Sequence, residues 1–352
     1  MLKNETASAS GTLKHRFVWS LVMWALSEGK ITSSTTVYDS TSGNTGASEA
    51  YMCKLIGVPY VAVVSKNLEA EKRAQITQFN GKLMPVDTTL RNYHARKSAA
   101  DSGGFFINQF GNAEAAEEYH ESGYFAKEST NVYHEILAQL RAVSRPVPDY
   151  FVHSAGTGDT ISSVGKYITR YNLPTSVVLA DSQYSLFYDY VLSKKYTTTR
   201  AGDAGRPAWR MPGIAGIGYG YNVDPIIYKN TTSLLRDVID KVVRIPDIAS
   251  VAAMRALRRE LKVDAGVSTA LNFLVALDTA ITHERTVPIS LVSIMGDPGK
   301  FYESTYHNDT WINQVFAGDG GMRALHCWYV EISRSIYRGT NFMTEGQTAC
   351  KK

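Results

Sequence analysis

The chain of 352 residues is 44% apolar and 20% charged with a net charge of +4, a composition that buries a large core and points to two lobes. No stretch concentrates Lys or Arg among aromatics, so nothing argues for nucleic acid, and no run approaches the length of a membrane span or a signal core. The three cysteines, Cys53, Cys327 and Cys350, are odd in number and far apart, which fits a reduced, cytoplasmic protein and offers no metal spacing.

The first helical pattern starts at Lys14, directly after Gly11-Thr12-Leu13, with Phe17, Leu21, Trp24 and Ala25 on one face and Gly29 at its end. A lysine in the first turn meets the positive end of the helix dipole. With desolvation, that field depresses its pKa toward the neutral amine. Taken in isolation Lys14 reads as an ordinary surface lysine, and His15 as a histidine on the helix surface.

A β-branched run, Thr35-Thr36-Val37-Tyr38, leads into Thr41-Ser42-Gly43-Asn44-Thr45-Gly46 and a helix from Ala47 to Ile56 closed by Gly57. A strand, a tight polar loop with glycines and a helix start together make an anion cradle, to which the hydroxyls of Thr41, Ser42 and Thr45 add donors. Asn44 carries both a donor and an acceptor. Alone, the same stretch reads equally well as a strand-to-helix turn rich in capping residues.

Strands over Tyr60–Val64, up to Val86, and over Phe105–Asn108 alternate with helices over Glu69–Phe79 and Leu90–Ala100. That alternation predicts parallel βαβ units in a sheet covered on both faces. A helix over Val132–Ala142, broken by Pro146 and Pro148, precedes a strand over Tyr150–Ser154 and the loop Gly156-Thr157-Gly158-Asp159-Thr160. A helix from Ile161 makes that loop a second phosphate cradle. Further on come a strand over Ser176–Ala180, a helix opened by Asp247 as its cap, and a buried strand over Leu291–Met295 leading into Gly296-Asp297-Pro298. After Trp311, Leu325, Trp328, Tyr329, Ile332 and Ile336 share one helical face, so the tail packs on its own chain or on a partner.

Together, Gly11-Thr12-Leu13-Lys14-His15-Arg16, the Thr41–Gly46 loop and the Gly156–Thr160 loop resemble, in order and spacing, the motifs of fold-type II pyridoxal-phosphate enzymes. The similarity is to the cysteine synthase and cystathionine β-synthase family and runs from Lys3 to about Ile312. Lys14-His15-Arg16, Ser48-Glu49-Ala50-Tyr51 and the run from Ile245 to Arg255 look most like its L-cysteine desulfhydrase branch. The resemblance implies an α/β fold of two lobes, tryptophan synthase β-like, with mostly parallel sheets covered by helices and the cofactor between the lobes. Residues 8–120 would form the smaller lobe, 1–7 with 121–316 the larger, and 317–352 a C-terminal tail.

It further implies pyridoxal phosphate on Lys14, with Asn44 on the ring oxygen and Gly156, Thr157, Gly158, Asp159 and Thr160 around the phosphate. Thr41, Ser42, Gly43, Thr45 and Gln109 would bind the substrate, and Gly216, in the segment Ile214–Tyr221, would pass close by. Two positions depart from the pattern. Asp159 puts a carboxylate where the phosphate loop usually has Gly, and Pro298 stands where many relatives have a Ser that bonds the ring nitrogen. Proline has neither hydroxyl nor N–H, which leaves the nitrogen to water, to a neighbour or to the adjacent Asp297. Relatives also carry an N-terminal segment, ahead of the strand at Lys3–Glu5, that covers the site and the subunit interface.

The implied activity is β-elimination on L-cysteine to hydrogen sulfide, pyruvate and ammonia. The alternatives are β-replacement of the cysteine synthase or cystathionine β-synthase type, and a catalytically impaired regulator that binds an amino acid. A small amino-acid substrate, a homodimer and no membrane or metal complete the expectation.

Overall fold

The computed structural model describes residues 1–112, 130–194, 213–218, 234–283 and 288–350, except for the side chain of Thr89. Two parallel sheets organise these residues. The smaller has the order β4-β3-β2-β5, with β2 at Val37–Ser40, β3 at Tyr60–Ser65, β4 at Lys82–Val86 and β5 at Phe105–Phe106. The larger has the order β1-β9-β6-β7-β8. Its strands are β1 at Leu2–Asn4, β6 at Tyr150–Ser154, β7 at Ser176–Ser182, β8 at Lys241–Ile245 and β9 at Leu291–Met295. Every described ladder is parallel. Parallel strands are covered on both faces, so they read as unbroken apolar runs; residues 60–64 and 177–180 do so.

Helices cover both sheets. In the smaller unit these are α1 (Lys14–Ser27), α2 (Asn44–Ile56), α3 (Ala70–Thr77) and α4 (Arg91–Ser102). Phe17, Leu21, Cys53, Val64 and Ile76 meet in one of their cores. In the larger unit, α5 (Val132–Ala142), α6 (Asp159–Arg170) and α7 (Phe187–Ser193) are followed by α8 (Asp247–Glu260) and α9 (Val267–Ile281). The helices α10 (Asp309–Val315), α11 (Gly321–Arg338) and α12 (Phe342–Ala349) complete the chain. No helix of the described residues is long and apolar enough to cross a membrane.

The α/β architecture is as expected, and three local expectations are corrected. Pro246, not Asp247, caps α8; the Asp247 carboxylate instead accepts from the Gln183 N–H at 2.9 Å, tying α8 to the end of β7. Asp159, expected in a loop, already belongs to α6. Cys327 and Cys350 are not free thiols but a disulfide spanning 23 positions. Its cause is the return of α12 across α11. Gly346 lets the Trp328 ring pack so closely that a Cβ there would lie 2.1 Å from the ring, and the turn brings the two sulfurs together. The apolar face of α11 joins the core formed by α8 and α9, with Leu325, Trp328 and Ile332 buried against Val251, Leu257 and Leu271. The tail therefore packs on its own chain.

Candidate active site

In a parallel sheet, ligands sit beyond the carboxyl ends of the strands, where loops feed helix N-termini. Two such ends face one cleft. Ser40 ends β2 and leads through Thr41–Gly43 into α2, while Ser154 ends β6 and leads through Ala155–Gly158 into α6. Residues of both loops line a cleft with about 1010 Å³ of empty space, its open mouth included.

The loop after β6 depends on its glycines. Gly158 has φ +92°, and a Cβ there would lie 2.3 Å from the Leu234 nitrogen, so the left-handed turn and the contact both require glycine. A Cβ on Gly156 would lie 2.1 Å from the Gly216 carbonyl oxygen. The 214–218 segment is strapped to this loop by the Gly218 N–H, which donates to the Ala155 carbonyl at 2.8 Å. Tyr219, Gly220 and Tyr221 of the same expected segment lie outside the described residues.

Lys14 opens α1, and its backbone N–H donates to Thr12 Oγ1 at 3.1 Å. Its ammonium reaches across the cleft to Thr157 Oγ1 at 3.4 Å. Burial lowers the Lys14 pKa, and the Asp159 carboxylate partly opposes that shift. Beside it, burial and then the Lys14 charge push the His153 imidazole down to about 3, so this cleft-lining ring is neutral at ordinary pH. His15 lies on the far side of α1, against the Tyr51 ring and within 3.1 Å of Ser10 Oγ.

Thr41 Oγ1 accepts from the Gly46 N–H at 2.9 Å, which bends the loop back on itself. Gln109 is buried, and its side-chain amide donates to the Ser40 carbonyl at 2.7 Å. Asn44 Nδ2 donates to Asp297 Oδ2 at 2.8 Å, and the Tyr302 hydroxyl donates to the same oxygen at 2.5 Å. Asn44 Oδ1, Asp297 Oδ1 and Ser154 Oγ are buried with no hydrogen-bond partner among the described residues.

Lys14, Thr41, Ser42, Asn44, Thr45 and Gln109 all line the cleft, as do Gly156, Thr157, Gly158, Thr160 and Gly216. Three expected residues do not. Gly43 shapes the turn before α2, and Asp159 lines a neighbouring cavity with Glu5 and Arg16. Pro298 bridges to Ala265; its predecessor Asp297 takes the place on the cleft wall. Sequence reasoning missed Lys72 and Tyr302. Lys72 is 6% exposed, lines the cleft, sits 5.1 Å above the Tyr302 ring and lies 3.6 Å from Glu69. Its only signal in the sequence is a helix lysine three positions after a glutamate, which ordinarily marks a solvated face.

The features fit pyridoxal phosphate. A helix N-terminus behind a glycine cradle takes a phosphate, a lysine with a lowered pKa supplies an amine, and orphaned polar atoms await ring substituents. Over 99% of its length the chain is 54% identical to a pyridoxal-phosphate dependent protein of Caenorhabditis elegans, of which it covers 81%. It is 32% identical, over 95% of its length, to the L-cysteine desulfhydrase of Mycobacterium tuberculosis, covering 84% of that protein. The crystal structure of O-ureido-L-serine synthase superposes with a TM-score of 0.68 at 25% identity, covering 89% of this chain and 86% of that one. Residues 1–290 match the family described as pyridoxal-phosphate dependent enzyme, and with these relatives the chain belongs to the fold-type II pyridoxal-phosphate enzymes of the cysteine synthase family.

Proposed function

We propose that the protein removes the β-substituent of a small amino acid, with L-cysteine as substrate, so that L-cysteine and water give hydrogen sulfide, pyruvate and ammonia. The observation that carries this reading is the likeness to an L-cysteine desulfhydrase over 95% of the chain. The convergence of Lys14 and the two helix-start loops on one cleft supports it. Lys14 bears the cofactor and Asn44 holds its ring oxygen. Gly156, Thr157, Gly158 and Thr160 hold its phosphate. Thr41, Ser42, Thr45 and Gln109 bind the substrate carboxylate, with Gly216 alongside.

When bound, the cofactor supplies an electron sink for charge developing at the substrate α-carbon. Lys14 Nζ, as the neutral amine that burial favours, takes the α-proton. The carbon–sulfur bond breaks with its electron pair leaving on sulfur, and the proton held on Nζ is within the same cleft for the departing group. Thr157 Oγ1 lies 3.4 Å from Nζ in the cofactor-free cleft, which places the amine beside the phosphate cradle.

This reading takes the two sheets as two lobes, residues 8–120 and 1–7 with 121–316, followed by the tail; position 120 lies outside the described residues. It includes a homodimer in the cytoplasm, and the Cys327–Cys350 bridge is the feature least at home in a reducing compartment. The likeness to O-ureido-L-serine synthase favours β-replacement as the second reading. The test supplies L-cysteine, and separately O-acetylserine with sulfide, and quantifies the products. Sulfide, pyruvate and ammonia in equal amounts are expected. Rapid net cysteine formation with negligible pyruvate would establish replacement, and no turnover by the cofactor-loaded protein would point to a regulator.

A further inference from the structure

The loop after β9 brings a carboxyl group into the cleft. β9 lies beside β6 in the larger sheet, so the residues after Met295 emerge next to the phosphate cradle after Ser154. Asp297 is 1% exposed. Its Oδ2 is taken up by Asn44 Nδ2 at 2.8 Å and the Tyr302 hydroxyl at 2.5 Å, while its Oδ1 has no hydrogen-bond partner among the described residues. The carboxyl is seated by design of the backbone. The Gly266 N–H donates to the Asp297 carbonyl at 2.8 Å, and any Cβ at Gly266 would stand 1.9 Å from Oδ1.

A buried carboxylate oxygen without a donor is costly. Asn44 at the start of α2 and Tyr302 in the segment after β9 nevertheless hold this one in place. Asp297 lies on the cleft wall, so a group bound in the cleft can bring a donor to this carboxyl. The aromatic cofactor offers one such group, a protonated ring nitrogen. Asn44, placed on the ring oxygen by the functional reading, touches this same carboxyl.

We propose that Asp297, not Pro298 or water, partners the ring nitrogen of pyridoxal phosphate and holds a proton on it. The inference rests on the reading of this cleft as the cofactor seat. A carboxylate differs from a hydroxyl in its consequence: a ring kept protonated draws charge from the substrate α-carbon more strongly, which favours the proton transfer to Lys14. In the cofactor-free protein burial keeps the Asp297 pKa raised, although Asn44, Tyr302 and the Lys72 charge lower it; a cationic N–H beside the carboxyl adds to the lowering.

The test compares binding of pyridoxal phosphate and of its 1-deaza analogue, in which C–H replaces the ring nitrogen, to the protein and to Asp297→Asn. It also records the ¹⁵N shift of the labelled ring nitrogen in the wild-type holoprotein. The unmodified protein should prefer the natural cofactor by about tenfold or more, the worth of a hydrogen bond to a charged group. Its ring nitrogen should resonate as a pyridinium. Asp297→Asn should lose most of the preference and the pyridinium signal. Equal binding of both compounds by the unmodified protein, or an unprotonated nitrogen, would overturn the proposal even if the variant does not fold. Failure to bind either compound would overturn the cofactor seat itself, a distinct result.

Discussion

Lys14 Nζ stands 3.4 Å from Thr157 Oγ1 although the two residues are 143 positions apart. The contact joins the first residue of α1 to the loop that starts α6. It puts the ammonium where burial lowers its pKa and where the Asp159 carboxylate opposes that shift. In the cofactor-free protein, Lys14 should therefore lose its proton at lower pH than an ordinary lysine. Asp159→Asn removes the opposing charge and should move the midpoint further down. Labelling of Lys14 by an amine-reactive reagent across a pH series measures this; an upward shift in the variant would contradict it.

Asp39 and Glu49 sit beneath the Thr41–Gly46 loop, fully buried, with Glu49 Oε2 accepting from the Tyr60 hydroxyl. Burial pushes Asp39 up to about 7 and Glu49 well above its ordinary value. The folded state then holds more protons than the unfolded one between the ordinary carboxyl range and about pH 7, so stability falls as pH rises through that window. Asp39→Asn should flatten the decline. Urea midpoints at about pH 5 and about pH 7.5 decide it, and a slope equal to that of the wild type would refute the assignment of the decline to this buried pair.

Gly158→Ala forces a Cβ against the Leu234 backbone at positive φ. We expect a loss of about 1–3 kcal/mol in stability and at least about a tenfold fall in cofactor affinity, for which 1.4 kcal/mol suffices. Gly29→Ala, also at positive φ but with nothing within 4 Å of the added carbon, should leave affinity alone. Thermal unfolding and spectral titration of the two variants separate local strain from damage to the cradle.

Removing the Cys327–Cys350 bridge by Cys350→Ser should cost about 3 kcal/mol under oxidising conditions, the chain-entropy value for a loop of this size. Because Leu325, Trp328 and Ile332 pack against α8 and α9 without it, the cofactor spectrum should be unchanged. A variant as stable as the oxidised parent would mean that the bridge does not form in solution.

Pro298→Ser restores the hydroxyl that the family pattern carries, yet Pro298 is not on the cleft wall. No gain in cofactor affinity is expected. Tighter binding, by about the 1 kcal/mol of an ordinary hydrogen bond, would return the ring nitrogen to position 298.

The sequence read well wherever a local pattern carries the structure. The limits of α5, β6 and β9 agree with their apolar runs to the residue, and the glycine loops mark both walls of the cleft. What stayed hidden depends on contacts between distant positions. Asn44 and Asp297 are 253 residues apart, and no periodicity predicts that they share a hydrogen bond. The one-residue difference between Pro298 and Asp297 is settled by the turn after β9, which local composition does not specify. Lys72 looks like any helix-surface lysine until α3 packs along the cleft. Cys327 and Cys350 meet only because α12 folds back over Trp328.

The most direct test of the cleft is where the cofactor is attached. Reduction of the cofactor-loaded protein with borohydride, followed by peptide mapping, should place the phosphopyridoxyl group on Lys14 alone, and Lys14→Ala should take up none covalently. Among the described residues Lys72 is the other lysine on the cleft wall, so the adduct on Lys72, or on any lysine of the Lys14→Ala variant, would contradict the account.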